Sequence, residues 1–209
     1  MSPSRLLPFA VLSLVLIVIP GPSVLFIVGR ALAVGRREIL FTVAGNACGE
    51  YFQVVAVAFG VGLLLERSVA AFTAVKLLGA AYLIGLGVRS LMRRSAGLAP
   101  AAGGGVGTAA AFWQGTAVGA SNPKTTVFFV AFLPQFVQRG GFDPAVQILI
   151  LGLMWTGIAL VSDSAWGFAA ARAKNWLAGS PGVGNLASSA SGLVMVGLGL
   201  GLAASGSRS

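Results

Sequence analysis

A chain of 209 residues that is 56% hydrophobic and only 9% charged has too little polar surface to cover a soluble globule, so a bilayer is its natural solvent. Its net charge of +9 lies in short clusters between apolar runs, without the continuous basic face that a phosphate backbone requires, which excludes nucleic acid and points to topology determinants. With no His and a single Cys, Cys48, the parts for a zinc or haem site, a disulfide framework or His-dependent catalysis are missing, and no cofactor is expected.

Crossing hydrocarbon takes about 20 apolar residues, and the first qualifying run is Leu6–Val28. It follows a lone Arg5 and closes on no small-residue cleavage site, so it reads as a retained helix. Within it stands Pro20-Gly21-Pro22-Ser23, where two prolines in three residues should open the helix near its middle or inner half. The carbonyls and amides so freed must find partners in a medium without water.

The second predicted span, Ile39–Leu65, carries Glu50 about halfway along. Thr42, Asn46, Glu50 and Gln53 follow at intervals of four, four and three, so they share one face that must meet the protein interior or an aqueous cavity. Val69–Leu91 is the third span and contains Lys76, only about 10 Å below its outer end and close enough to snorkel. Residues 95–111 are rich in Ala and Gly and read as a cytoplasmic linker between halves 1–94 and 112–209.

Phe112–Phe136 is the fourth span, interrupted at Ser121-Asn122-Pro123-Lys124, and Val146–Ala171 the fifth, with Asp163 at a depth comparable to that of Glu50. Leu186–Ala204 completes six. An ionised group at mid-helix costs about 2.5–3.5 kcal/mol to insert, so Glu50, Lys124 and Asp163 need partners or water. Burial and a nearby Lys124 act in opposite senses on the protonation of the two carboxylates. The bland alternative is that these groups merely pair or hydrogen-bond to orient helices. Gly45/Gly49, Gly115/Gly119 and Gly197/Gly201 mark close helix contacts, within the chain or in a homodimer, and Trp and Tyr near helix ends read as interfacial anchors.

Arg30, Arg36, Arg37, Arg89, Arg93, Arg94, Arg172 and Lys174 fall in loops one, three and five, against Arg5, Arg67, Arg139 and Arg208 opposite. The positive-inside rule puts the richer side in the cytoplasm and both termini outside. Three helices being an odd number, the halves enter with opposite polarity: an all-α integral membrane protein of six helices in two inverted three-helix repeats. Interrupted helices at matching positions of such repeats point to a transport site for a charged small molecule.

In order along the chain stand Pro20-Gly21-Pro22 with Gly35-Arg36-Arg37, Gly45 and Gly49; Lys76, Gly79, Tyr82 and Leu83; and Asn122-Pro123-Lys124 with Phe128, Phe129, Leu133, Pro134, Gln135 and Phe136. This set, spanning most of the chain, resembles the amino-acid exporter family typified by the lysine exporter LysE and the threonine and homoserine exporter RhtB. The resemblance implies a secondary transporter of the bacterial inner membrane that moves amino acids or close derivatives outward, driven by the proton-motive force. Ser23, where family members often carry Asn, and Ile39, where Gly is frequent, depart from the pattern. The expected pathway comprises Pro20, Gly21, Pro22, Ser23, Asn46, Glu50, Gln53, Asn122, Pro123, Lys124 and Asp163, with Lys76 as a weaker candidate. In this reading the substrate carboxylate lies near helix amides or Lys124 and its amine near Glu50 or Asp163, with protons exchanging by alternating access. The competing readings are a noncatalytic membrane subunit or assembly factor, and an exporter of another small solute or a metal ion; an enzyme lacks a recognisable nucleophile–base pair.

Overall fold

A computed structural model of the chain describes residues 3–32, 34–67, 107–138, 140–141 and 143–173, with isolated helical positions between 74 and 92 and between 193 and 203. The described residues are helical with no strand: α1 (Pro3–Val18), α2 (Pro22–Ala31), α3 (Arg36–Arg67), α4 (Gly107–Ala120), α5 (Pro123–Ala131), a 3-10 turn (Leu133–Phe136) and α6 (Pro144–Arg172). Lys76, Gly79, Tyr82, Leu83 and most of the third and sixth expected spans lie outside the described residues, as does the linker from 95 to 106.

Prolines set the helix boundaries. Pro22, Pro123 and Pro144 each open a helix, where the missing N–H forfeits no helical bond and the fixed φ is already helical. Asn122 caps α5 by accepting from Lys124 N, and Asp143 caps α6 by accepting from Ala145 N and Val146 N. The first expected span is therefore two helices, α1 and α2, bent by 51° across Ile19-Pro20-Gly21. The fourth begins earlier than expected, at Gly107, breaks at Ser121-Asn122 and ends its α-helical stretch at Ala131. Among the described residues, Pro144–Arg172 is by itself long and apolar enough to cross a membrane, and the bent pair α1–α2 qualifies when taken as one span.

Among the described residues, two larger apolar clusters hold these helices together. Phe9, Leu16, Val54, Phe128, Phe129, Leu151 and Trp155 belong to one, joining α1, α3, α5 and α6. Val24, Ile27, Val28, Ile39, Val43 and Ala170 belong to the other, joining α2, α3 and α6. Along each helix the two clusters are separated by polar positions: Asn46, Glu50 and Gln53 between Val43 and Val54, and Asp163 between Ala159 and Ala170. A polar layer is thus clamped between two dry ones. Outward-facing Phe59 (69% exposed) and Val161 (74% exposed) would be a liability in water and are suited to lipid.

The closest helix contact joins α3 to α4. A Cβ at Gly45 would strike the Phe112 carbonyl, at Gly49 the Thr116 carbonyl, at Gly115 the Thr42 carbonyl and at Gly119 the Asn46 carbonyl. These small-residue faces interlock within the chain, bringing the carbonyl end of α4 beside the polar stripe of α3. Gly157, by contrast, has open space at its Cβ position. Replacing Gly49 by Val should therefore cost roughly 1–3 kcal/mol or more through overpacking, whereas Gly157→Ala should leave stability unchanged or raise it by up to about 1 kcal/mol; thermal unfolding of the detergent-purified variants measures the contrast, and equal effects would refute the interlock.

Candidate functional site

The polar layer is built from what the prolines leave undone. In a helix each N–H bonds the carbonyl four residues earlier; Pro20 and Pro22 have no N–H, so the carbonyls of Leu16 and Val18 lose their donors. Lys124 Nζ donates to Leu16 O and Ile19 O, each at 3.1 Å, and Trp166 Nε1 donates to Val18 O at 3.2 Å. Both donors come from the second half of the chain.

The second break is satisfied in the reverse sense. Pro123 withholds a donor from Gly119 O, and Lys124 N is diverted from Ala120 O to the Asn122 cap. Asn122 N turns back to Gly119 O at 3.2 Å, and Gln53 of α3 reaches across to both carbonyls, its Nε2 standing 2.9 Å from Gly119 O and 2.8 Å from Ala120 O. Its Oε1 accepts from Thr125 Oγ1 at 3.0 Å. The two breaks also touch directly, Asn122 Nδ2 donating to Ser23 Oγ at 2.7 Å.

Beside these caps lie the two carboxylates. Asn46 Nδ2 donates to Asp163 Oδ2 at 3.1 Å and to Glu50 Oε1 at 3.4 Å, and Trp155 Nε1 donates to Glu50 Oε2 at 2.8 Å. Asn46, Glu50, Lys124 and Asp163 are each 5% exposed or less. Buried charges of both signs therefore share one layer, with the Lys124 hydrogen bonds directed to carbonyls rather than to a carboxylate. Asn46 Oδ1 is buried without a hydrogen-bond partner.

Ser23, Glu50, Asn122, Lys124, Thr125 and Asp163 line a cavity with about 10 Å³ of room, walled on its apolar side by Ile17, Val24, Trp155 and Ala159. That is space on the order of one water molecule. Gly21 sits against the same lysine, since a Cβ there would lie 2.9 Å from Lys124 Nζ. Apart from Lys76, the expected pathway residues are thus brought together at the two breaks and on the facing stripes of α3 and α6.

One expectation needs correction. Arg30 is not a loop charge: it lies in the last turn of α2, buried, because helix α2 restarts after Pro22 and runs to Ala31. Sequence reasoning left out Trp155, which stands near the middle of α6 against the rings of Phe128 and Phe129 with its N–H on Glu50. A signal for it was present, since Trp155, Ala159 and Asp163 recur every four residues on one face. Thr125 and Trp166, which complete the capping, carried no such signal.

The family pattern of the LysE type translocators matches residues 14–206. The uncharacterized membrane protein YrhP of Bacillus subtilis is 28% identical over 93% of this chain and 96% of its own length. A homoserine/homoserine lactone efflux protein of Salmonella typhimurium is 32% identical over 77% of each chain, and a leucine efflux protein of Klebsiella pneumoniae 27% identical over 70% of each. No solved structure matches.

Replacing Gln53 by Leu keeps bulk but removes the side-chain donor to the Ala120 carbonyl and one of the two donors to the Gly119 carbonyl, which keeps Asn122 N, with an expected loss of roughly 0.5–1.5 kcal/mol. Equilibrium unfolding in detergent checks this, and wild-type stability would show that the break does not need the cap.

Proposed function

We infer the function from one premise: the chain belongs to the LysE type translocator family and is a bacterial membrane transporter, not an enzyme. It exports an amino acid or a close derivative by alternating access, in exchange for protons, through six helices arranged as two inverted three-helix repeats. The observation that carries this reading is the polar layer itself, where two interrupted helices meet and Glu50, Asn46 and Asp163 sit beside Lys124, closed off by apolar clusters on both sides. Structural ion pairing alone requires neither two matched breaks nor a cavity between them.

The repeats are supported by correspondence of their elements. A broken helix (α1–α2, α4–α5) is followed in each half by a long helix bearing a mid-span carboxylate, Glu50 on α3 and Asp163 on α6. Reciprocal capping of the breaks, by Lys124 on the first and Gln53 on the second, fits halves that face each other across the pathway. Arg36, Arg37 and Arg172 then mark the cytoplasmic end, leaving the N-terminus outside.

A cavity of about 10 Å³ is far smaller than any amino acid, so this form is closed between the two apolar clusters. Opening toward either side separates one apolar cluster while the other stays sealed. The substrate ammonium then meets Asn46 Oδ1, Glu50 and Asp163, and its carboxylate meets the N-terminal amides of α2 or Lys124 once that ammonium leaves the Leu16 and Ile19 carbonyls. A proton taken up by a carboxylate as the substrate leaves returns the layer to its closed form.

The names of the relatives select the first substrates to try, homoserine and leucine. Purified protein in proteoliposomes should show saturable counterflow of one of a panel of labelled amino acids, and no saturable flux with any would refute the export reading. Glu50→Gln and Asp163→Asn should each lower the rate by roughly tenfold or more, as expected for loss of about 1.4 kcal/mol of differential interaction, while eluting as folded protein; wild-type rates in both would remove the carboxylates from the mechanism.

A further inference from the structure

Arg30 has no role in the capping of the breaks and does not border the cavity, yet it is 2% exposed and its Nε and Nη2 are buried with no hydrogen-bond partner. A guanidinium cannot discharge itself by losing a proton, and an uncompensated buried charge is costly. The carboxylates of Glu38, Glu50 and Asp163 bond elsewhere: Glu38 accepts from Gly35 N, Glu50 from Trp155 and Asn46, and Asp163 from Asn46. Its place near the C-terminal end of α2 suits a cation, but Nε and Nη2 bond none of the carbonyls there.

Position gives this group a use. Ser23, Ile27 and Arg30 are spaced by four and three on one buried face of α2, with Ser23 bordering the cavity and Arg30 about 10 Å farther along the axis. Ile27 and Ile39 close the interval by packing on Gly167, one turn beyond Asp163 on α6; a Cβ there would lie 2.6 Å from Ile39 Cγ2 and 3.3 Å from Ile27 Cγ2. Arg30 thus stands on the far side of a plug about one side-chain layer thick, at the end of the bundle that carries Arg36, Arg37 and Arg172.

We propose that Arg30 is a carboxylate-binding subsite at the cytoplasmic entrance, which takes the carboxylate of a zwitterionic amino acid before the Ile27–Ile39–Gly167 plug opens to the polar layer. The planar guanidinium fork matches a carboxylate with two parallel hydrogen bonds, a fit that a lysine ammonium does not reproduce. A separation of about 10 Å from Ser23 is too long for one amino acid to engage Arg30 and the central carboxylates together. The two sites therefore act in sequence, Arg30 governing capture and the polar layer governing translocation. This inference rests on the export reading above.

The test is counterflow in proteoliposomes of neutral lipid, with and without added anionic lipid, comparing an amino acid with its carboxamide, which keeps the amine but lacks the carboxylate. Arg30→Gln should raise KM for the amino acid about tenfold or more with kcat within about twofold, Arg30→Lys should fall between, and the carboxamide should show the same KM in all three. An unchanged KM beside saturable wild-type flux overturns the Arg30 site while leaving the export reading intact; no wild-type flux overturns both. An equal rise in KM for the carboxamide assigns Arg30 a packing role, and an effect seen only with anionic lipid assigns it to a lipid headgroup, either of which overturns the proposal. Arg30→Lys, which retains the charge, supplies the comparison if the Gln variant elutes as aggregate.

Discussion

In a bilayer a backbone carbonyl without a donor has no water to turn to, and three prolines at two breaks create several such carbonyls in the middle of this chain. The rest of the polar layer follows from how they are satisfied. Lys124 and Trp166 serve the break between α1 and α2, and Gln53 serves the break between α4 and α5, so each broken helix is completed by a side chain from the other half. Neither half is internally complete, and the meeting of the two is what places Asn122 on Ser23 and both carboxylates on Asn46.

This arrangement ties stability to function in one set of groups. Lys124, which closes the first break, also lines the cavity, as do Asn122 and Ser23 where the two breaks touch, so a movement that admits a solute must exchange some of these hydrogen bonds for others rather than simply pull apolar faces away from each other. The interlocked glycines of α3 and α4 keep the Gln53 side of the layer rigid, because their backbones already touch. The α1–α2 side has no comparable interlock among the described residues, and its bend is held by side chains of Lys124 and Trp166.

The breaks and the carboxylates were legible because they violate local rules: prolines inside apolar runs and charges at mid-span have few innocent readings. The α3 stripe was legible from spacing alone, since Asn46, Glu50 and Gln53 repeat with helical period. The donors were not. Nothing in a sequence says that Lys124 will bond distant carbonyls of α1 rather than a carboxylate, or that Arg30 is buried rather than a loop charge. Those assignments depend on which helices pack together, and Arg30 was misplaced because the helix restarted by Pro22 runs past the expected end of its span.

The central claim is that Lys124 replaces the backbone donor that Pro20 removes. A double-mutant cycle tests it most directly: Pro20→Ala restores an N–H for Leu16 O, so Lys124→Met should cost less in that background than in the wild-type chain. Unfolding free energies of the four proteins in detergent should show a coupling of about 1 kcal/mol or more. Strict additivity would contradict the account and return Lys124 to the status of a buried charge with no role in completing the broken helix.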